Sequence, residues 1–545
     1  MKKKKIILSM VFVLTATLLM AGGGGQQAAP AASGAQSTSA SGSYLPLTPT
    51  PVTLKMFIEM DQNKIGVHTV NYSDMLCFQE LAKKTNVTID FIHPPAGMAA
   101  EQLNLMMAAG DMQDITYWNW SQVSGGPTKL IDDNIILPLN KYINSLPNYQ
   151  NFLKANPSID KDVKTDDGIY YCFPLIQKSE DFKNVFGFMI RKDWLDKLGL
   201  PVPETIDEWY TTMVAFRDKD PDGTGKKITP LVSIYAKGIE ELGQDAVRSL
   251  YSAWGKSDSF YVNNGKVFFG AYEPEYKEYL LTMLKWITEG LIEPNFPTMD
   301  IVQLDSAILN STAGICREGL GTGLDKYYAG FNKRDDIIVA LPFPVLKKGD
   351  QAYNFIHIGR DFASTGGALS PNGKNNDLAA KWMDYLFSDE AGLLLNFGIE
   401  GRTYNWINGF PQLVDSIYNN PTESVNVALG RYAIGVTGFI FVNDVRVREQ
   451  RMLRTKNQRE GLVLWNKADI TCALPPITYT ANESQELARI LSEANTLVKE
   501  YTLSFLLGRR DINREFDTYI NTLKSMNIER AIAINQAAVD RYNKR

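Results

Sequence analysis

From Val52 onward the period of the hydrophobic positions switches repeatedly between that of a strand and that of a helix. Val52 to Ile58, Val87 to Ile92 and Asp114 to Trp118 read as extended apolar segments, and between them Ser73 to Lys84 and Ala99 to Ala109 carry apolar residues at helical spacing. This βαβαβ order predicts a mostly parallel sheet covered by helices, with any ligand beyond the carboxyl ends of the strands. Arg191 to Leu198 reads as a helix with Trp194, Leu195 and Leu198 on one face, stopped by Gly199 and Pro201. Thr205 opens the next helix as a capping box with Glu208, and Trp209, Met213 and Phe216 form its buried stripe. Further helices are predicted over Tyr276 to Gly290, over Asp377 to Phe387 and from Ser388. The tail reads as a helix from Asn482, with Gln485 as capping partner, to Gly508, followed by one closing helix from Arg514 to Tyr542.

At 545 residues the chain exceeds one ordinary core, so two or more domains are expected. Lys2 to Lys5 followed by the apolar run Ile6 to Met20 reads as an export signal over residues 1–22, too short for a comfortable membrane span. Residues 23–51 form an Ala/Ser/Gly-rich tether between that segment and the folded body. The net charge of −5 becomes about −9 without the four leader lysines, which argues against a nucleic-acid or anionic-membrane partner. Cys77, Cys172, Cys316 and Cys472 are far apart and show no metal spacing, so buried free thiols are expected.

Several motifs occur together in one order. They are RKDWLDKLGL from Arg191 followed by PETIDEW, NLMMAAGDMQDI over Asn104 to Ile115, GLIEP from Gly290, and DLAAKWMDYLFSDEAGLLLNFGIEG over Asp377 to Gly401. This set resembles the family 1 extracellular solute-binding proteins of bacterial ABC importers, in particular the large lipoprotein subgroup that includes alginate- and other oligosaccharide-binding members. Gln113 stands where that family usually has Pro. The resemblance implies a two-lobed, periplasmic-binding-protein-like α/β fold of type II, with ligand held between lobes joined by hinge crossovers. Its lobes are expected at 52–177 plus 354–409 and at 178–353 plus 410–545. It also implies an exported monomer at the cell surface or in the periplasm, an oligosaccharide ligand and a membrane permease as partner. A lipoprotein leader of this subgroup would carry Cys where this chain has Gly23.

Against that background the acidic loop after the Thr205 helix has two registers. From Asp218, acidic residues fall at the first, third and fifth positions, as in an EF-hand opening, but the twelfth is Thr229 rather than Glu. From Asp220 the run resembles the subgroup's calcium loop, with Asp220, Asp222, Thr224 and the Lys226 carbonyl in place, while Ile228 and Thr229 replace the closing carboxylates. Both a structural calcium site and a solvated turn fit this pattern.

Saccharide recognition needs flat apolar faces for ring C–H surfaces and planar polar groups for hydroxyls. Trp118 and Trp120 follow a strand end, and Trp406 lies in a turn-rich stretch after Glu400 and Arg402, so these are candidates for stacking. Lobe packing is the competing role for each. Trp194, Trp209, Trp286 and Trp382 sit on helix stripes and are expected in cores. Arg317 and Glu318 in CREGLGTG, together with Arg360 and Arg402, are the candidate polar contacts; an ion pair within the protein is the alternative for each. Two convergent guanidiniums would favour an acidic sugar.

No HExxH, GxSxG or Cys/His arrangement nominates catalytic residues, the three histidines being His68, His93 and His357. The competing classes are a secreted polysaccharide-degrading enzyme, for which two carboxylates in a groove would suffice, and a surface adhesin or peptide-binding lipoprotein.

Overall fold

Apolar residues facing one another across paired strands set the architecture of the computed structural model, which describes residues 45–178, 181–236, 243–356 and 359–545. The expected signal segment, and the tether up to residue 44, lie outside the described residues. The strands are β1 (Val52–Phe57), β2 (Val87–Ile92), β3 (Ile115–Asn119), β4 (Phe173–Ile176), β5 (Phe186–Arg191), β6 (Phe260–Asn263), β7 (Lys266–Phe269), β8 (Ile315–Gly319), β9 (Ile338–Leu341), β10 (Thr365–Leu369), β11 (Tyr404–Ile407), β12 (Phe410–Leu413) and β13 (Phe441–Val442).

One sheet has the order β13-β4-β10-β3-β1-β2. Its β1, β2 and β3 are parallel, with Leu54 opposite Ile89 and Met56 between Phe91 and Ile115. The predicted βαβαβ start is therefore present. β10 runs antiparallel to both β3 and β4, which brings its Thr365 end to the same edge of the sheet as Asn119. The second sheet, β8-β5-β9, is wholly antiparallel, and β6–β7 and β11–β12 are hairpins.

Burial follows these sheets in two separate hydrophobic cores. The first draws on residues between Leu54 and Ile176 and between Phe362 and Val447. The second draws on Phe182 to Phe343 and Leu462 to Ile534. Residues 410–447 were expected with the second lobe, but Leu413, Leu429, Phe441 and Val447 pack into the first core. The reason is β13, which pairs with β4 and keeps the chain on the first sheet after the Gly409 turn.

The Thr205 capping box forms as expected: the Glu208 amide donates to Thr205 Oγ1 at 3.3 Å and the Thr205 amide to Glu208 Oε2 at 3.2 Å. Trp194, Trp209, Trp286 and Trp382 are core residues. Two tail boundaries differ from expectation. The long helix Ala481–Leu506 is capped two residues before the predicted Asn482, because Thr480 and Glu483 form the reciprocal pair. The closing segment is two helices, Ile512–Ser525 and Ile528–Tyr542, broken where Asn527 takes a left-handed conformation with φ 65°. Cys77, Cys172 and Cys316 are buried free thiols, and Cys472 is free and half-buried.

Candidate functional site

The chain crosses between the cores three times, after Ile176, after Phe343 and after Val447. These crossings are stitched to one another. Gln177 N donates to Asp361 O at 2.9 Å, Gly359 N to Lys183 O at 2.6 Å, and Asn443 N to Ile176 O at 2.7 Å. Gly359 is a glycine for a steric reason, since a Cβ there would lie 2.3 Å from the Phe182 carbonyl oxygen. Arg448 adds a side-chain tie from the third crossing to the first, donating to Gln177 O at 2.5 Å and Lys178 O at 3.2 Å.

Beside these crossings lies a cavity of about 440 Å³. Ser158 and Asp162 come from the helix that contributes Ile159 to the first core, and Val539 and Tyr542 from the helix that contributes Ile534 to the second. Arg360, Asp361 and Phe362 come from the second crossing; Thr471, Pro475 and Pro476 complete the wall. Arg360 is half-buried and makes no hydrogen bond or ion pair with the described residues. Burial lowers its pKa, against the opposing pull of Asp162 and Tyr542. Asp162 is engaged by the Tyr542 hydroxyl, which donates to it, and Thr471 Oγ1 donates to Asp469 at 3.0 Å. Pro475, Pro476 and Val262 supply apolar faces next to these polar groups.

A second cavity, of about 630 Å³, lies on the first-core side alone and is lined by His68, Asp74, Arg402, Arg431 and Tyr432 among others. Arg402 is exposed there, with its guanidinium 5.2 Å from the centre of the Tyr432 ring. Arg360 and Arg402 thus face different cavities, and Arg317, the arginine considered from the sequence as a partner for Arg360, lines neither of them. Trp118 is half-buried against the first core, opposite Gly366 in β10. Trp406 is 42 % exposed at the tip of the β11–β12 hairpin, edge-on to Tyr404.

Three candidates have structural positions instead. Trp120 has no exposed surface, and its indole Nε1 donates to Gly366 O at 2.9 Å, so it cannot stack on a ligand. Arg317 is wholly buried: Nη1 donates to Gly243 O at 2.6 Å and Nη2 to Ile356 O at 2.8 Å. Burial brings its pKa down to about 10 in spite of Asp245 and Glu318 nearby. Glu318, 1 % exposed, accepts from Gln244 Nε2 at 2.8 Å, Thr322 Oγ1 at 3.0 Å and the Gly319 amide at 3.0 Å. The Gly-rich run after Glu318 serves this local packing rather than ligand approach, because a Cβ at Gly323 would strike the Glu318 side chain at 2.5 Å.

The loop of residues 218–229 has its own charge arrangement. Asp218 pairs with Arg217, Nε to Oδ1 at 2.7 Å. Asp220 accepts from the Thr224 and Gly225 amides at 3.1 and 2.7 Å. Asp222 accepts from Lys197 and from Arg191 Nη2, the latter at 2.9 Å. Burial pushes the Asp222 carboxyl up, but Lys197, Trp194 and Arg191 together hold it well below the usual range. Thr224 Oγ1 lies 3.5 Å from Asp220 and Lys226 Nζ donates to Asn310 O at 3.0 Å. Ile228 is in the second core and the Thr229 amide donates to Thr312 O. Among the described residues no group of three or more His, Cys, Asp or Glu could hold a metal ion, and the carboxylates of Asp218 and Asp222 are instead paired with arginine and lysine.

Sequence reasoning missed Asp162, Thr471 and Tyr542 as cavity residues. They come from distant segments with no motif; the Pro475-Pro476 pair is the one local signal of a shaped wall.

Residues 71–393 match the family model of the bacterial extracellular solute-binding proteins. The fructooligosaccharide ABC transporter substrate-binding protein FusA of Streptococcus pneumoniae is 25 % identical over 541 residues, covering 94 % of this chain and 95 % of that one. Among solved structures, the alginate-binding protein AlgQ2 without calcium ion superimposes with a TM-score of 0.74 at 23 % identity, covering 91 % of this chain and 99 % of that one. S. pneumoniae FusA in complex with kestose gives a TM-score of 0.74 at 22 % identity, covering 90 % of this chain and 100 % of that one. These likenesses show the two-lobed solute-binding fold.

Proposed function

Since the chain belongs to the bacterial extracellular solute-binding proteins, we propose that it captures an oligosaccharide between its two lobes and delivers it to the permease of an ABC importer. The observation that carries this reading is the cavity of about 440 Å³ whose walls come from helices of both cores and from a crossing between them. Its size is within the range of small-molecule sites. A ligand seated there touches both lobes only when they are together, so its binding energy stabilises the closed state over the open one. The crossings after Ile176, Phe343 and Val447 are the segments about which the lobes turn. The fructooligosaccharide ABC transporter substrate-binding protein FusA and the alginate-binding protein AlgQ2 support a saccharide as the ligand class.

In this reading Arg360 donates to sugar hydroxyls, Pro475 and Pro476 meet the apolar ring faces, and Asp361 accepts. One guanidinium against the two carboxylates Asp162 and Asp361 favours a neutral saccharide over a uronate. The protein works as an exported monomer at the cell surface or in the periplasm, and performs no chemistry on its ligand.

The test is a thermal-shift screen of neutral and uronate oligosaccharides, followed by X-ray scattering with each hit. A ligand at about 100 times its Kd adds about 2.7 kcal/mol of stability. Scattering should show compaction on binding, with the sugar recovered intact. Binding without compaction would remove the closure mechanism, and breakdown of the sugar would replace the receptor with an enzyme.

A further inference from the structure

The acidic loop of residues 218–229 is spaced for a metal but closed by other means. Of the side chains available to a hard cation, the Asp218 carboxylate is held by the forked guanidinium of Arg217, Nε at 2.7 Å and Nη2 at 3.0 Å. The Asp222 carboxylate lies between Lys197 on one oxygen and Arg191 on the other. Arg191 is itself fixed from four directions. It forks onto Asp193 with two contacts of 2.7 Å, donates to Ser311 Oγ at 2.8 Å, and lies over the rings of Trp194 and Phe331 at 4.5 and 5.1 Å. Arg191 and Lys197 set against Asp193 and Asp222 make a closed set of two cations and two anions.

Asp220 is engaged by backbone, its two carboxylate oxygens accepting from the amides of Thr224 and Gly225 further along the same loop. The two positions where carboxylates would complete the oxygen count carry none. Ile228 is apolar and 2 % exposed, with no side-chain oxygen, and Thr229 offers a neutral hydroxyl where a second carboxylate would stand.

The geometry points to a loop that holds its shape without a metal ion, its charge balanced by Arg191, Lys197 and Arg217, so that this chain folds independently of calcium. This inference does not depend on the identity of the transported ligand.

The experiment is thermal unfolding of the full chain in excess EDTA and in saturating calcium, for the wild type and for Asp222→Asn, with terbium added as a luminescent probe. Trp194, which adjoins Arg191, would sensitise terbium bound at this loop. Coincident wild-type midpoints in the two buffers are expected, with no sensitised terbium emission. Asp222→Asn should lower the midpoint equally in both, because it uncouples Lys197 and Arg191 whether or not calcium is present. A wild-type midpoint that falls in EDTA and returns with calcium would overturn the inference. So would an Asp222→Asn loss seen only with calcium present, or terbium emission abolished by that substitution.

Discussion

The guanidinium of Arg317 donates to the carbonyl of Ile356 at 2.8 Å from a position with no exposed surface. A buried cation thereby holds the segment through which the chain leaves the second core, and the same side chain reaches Gly243 O. Arg317→Met keeps much of the volume but leaves both carbonyls without this donor. Each orphaned buried acceptor costs about 1–3 kcal/mol, so a stability loss of about 3 kcal/mol is expected in urea unfolding. Arg317→Lys should recover only part of it, since an ammonium lacks the planar fork.

Arg360 should behave in the opposite way. Its guanidinium opens on the cavity between the lobes without a hydrogen-bond partner among the described residues. Arg360→Gln should leave the thermal midpoint of the free protein within error or raise it slightly. Saccharide affinity should fall about tenfold or more by calorimetry, which is the loss of one charge-assisted hydrogen bond of about 1.5–3 kcal/mol. Unchanged affinity would move the ligand away from this cavity.

The buried carboxyl of Asp384 sets a pH dependence. It accepts from the Tyr149 amide at 2.8 Å and from Asn148 Nδ2 at 2.9 Å, yet burial without a nearby cation pushes its pKa up to about 6. The folded state therefore binds this proton more tightly than the unfolded state. Its stabilising contribution is fully present below the unfolded pKa of about 3.9 and is lost as pH rises through about 6. Asp384→Asn should flatten the stability profile across that window, by on the order of 3 kcal/mol. Glu208 works with the opposite sign. Its hydrogen bonds to Lys348 and to the Glu204 amide hold its pKa down to about 2, so its smaller, solvent-screened contribution is lost as pH falls towards that value.

Gly187 in β5 lies directly under the indole of Trp465, where a Cβ would come within 2.4 Å of the ring. Trp465 cannot retreat easily, being fully buried and donating from Nε1 to Leu341 O at 3.0 Å. Gly187→Ala should cost about 1–3 kcal/mol by overpacking. In a double-mutant cycle with Trp465→Leu the two losses should be clearly less than additive, which checks that the clash is the cause.

The sequence makes visible what is local and periodic. The Thr205–Glu208 cap, the Gly199 stop and the Trp194, Trp209 and Trp286 core positions depend on neighbours a turn away, and all are where the pattern puts them. The roles of Arg317 and Trp120 depend on partners far along the chain. Arg317 needs Gly243 and Ile356, and Trp120 needs Gly366, so a Gly-rich motif and a strand end looked like ligand contacts when they are packing devices. The carboxylates after Asp218 leave two readings open for a related reason. Spacing shows which acids are close in the chain, but Lys197 and Arg191, which neutralise Asp222, belong to the preceding helix and strand. The long reach of the first core has the same origin, because the return of β13 to β4 leaves no trace in local pattern.

The interleaving of the two cores also governs when the molecule can fold. The first core needs residues up to Val447 and the second needs Ile534, so neither can close while only the first half of the chain has been synthesised. Contacts this distant in sequence form slowly, after the loop-closure entropy of the intervening segments has been overcome. Neither core is complete until most of the chain is available, and that delay is written in its topology.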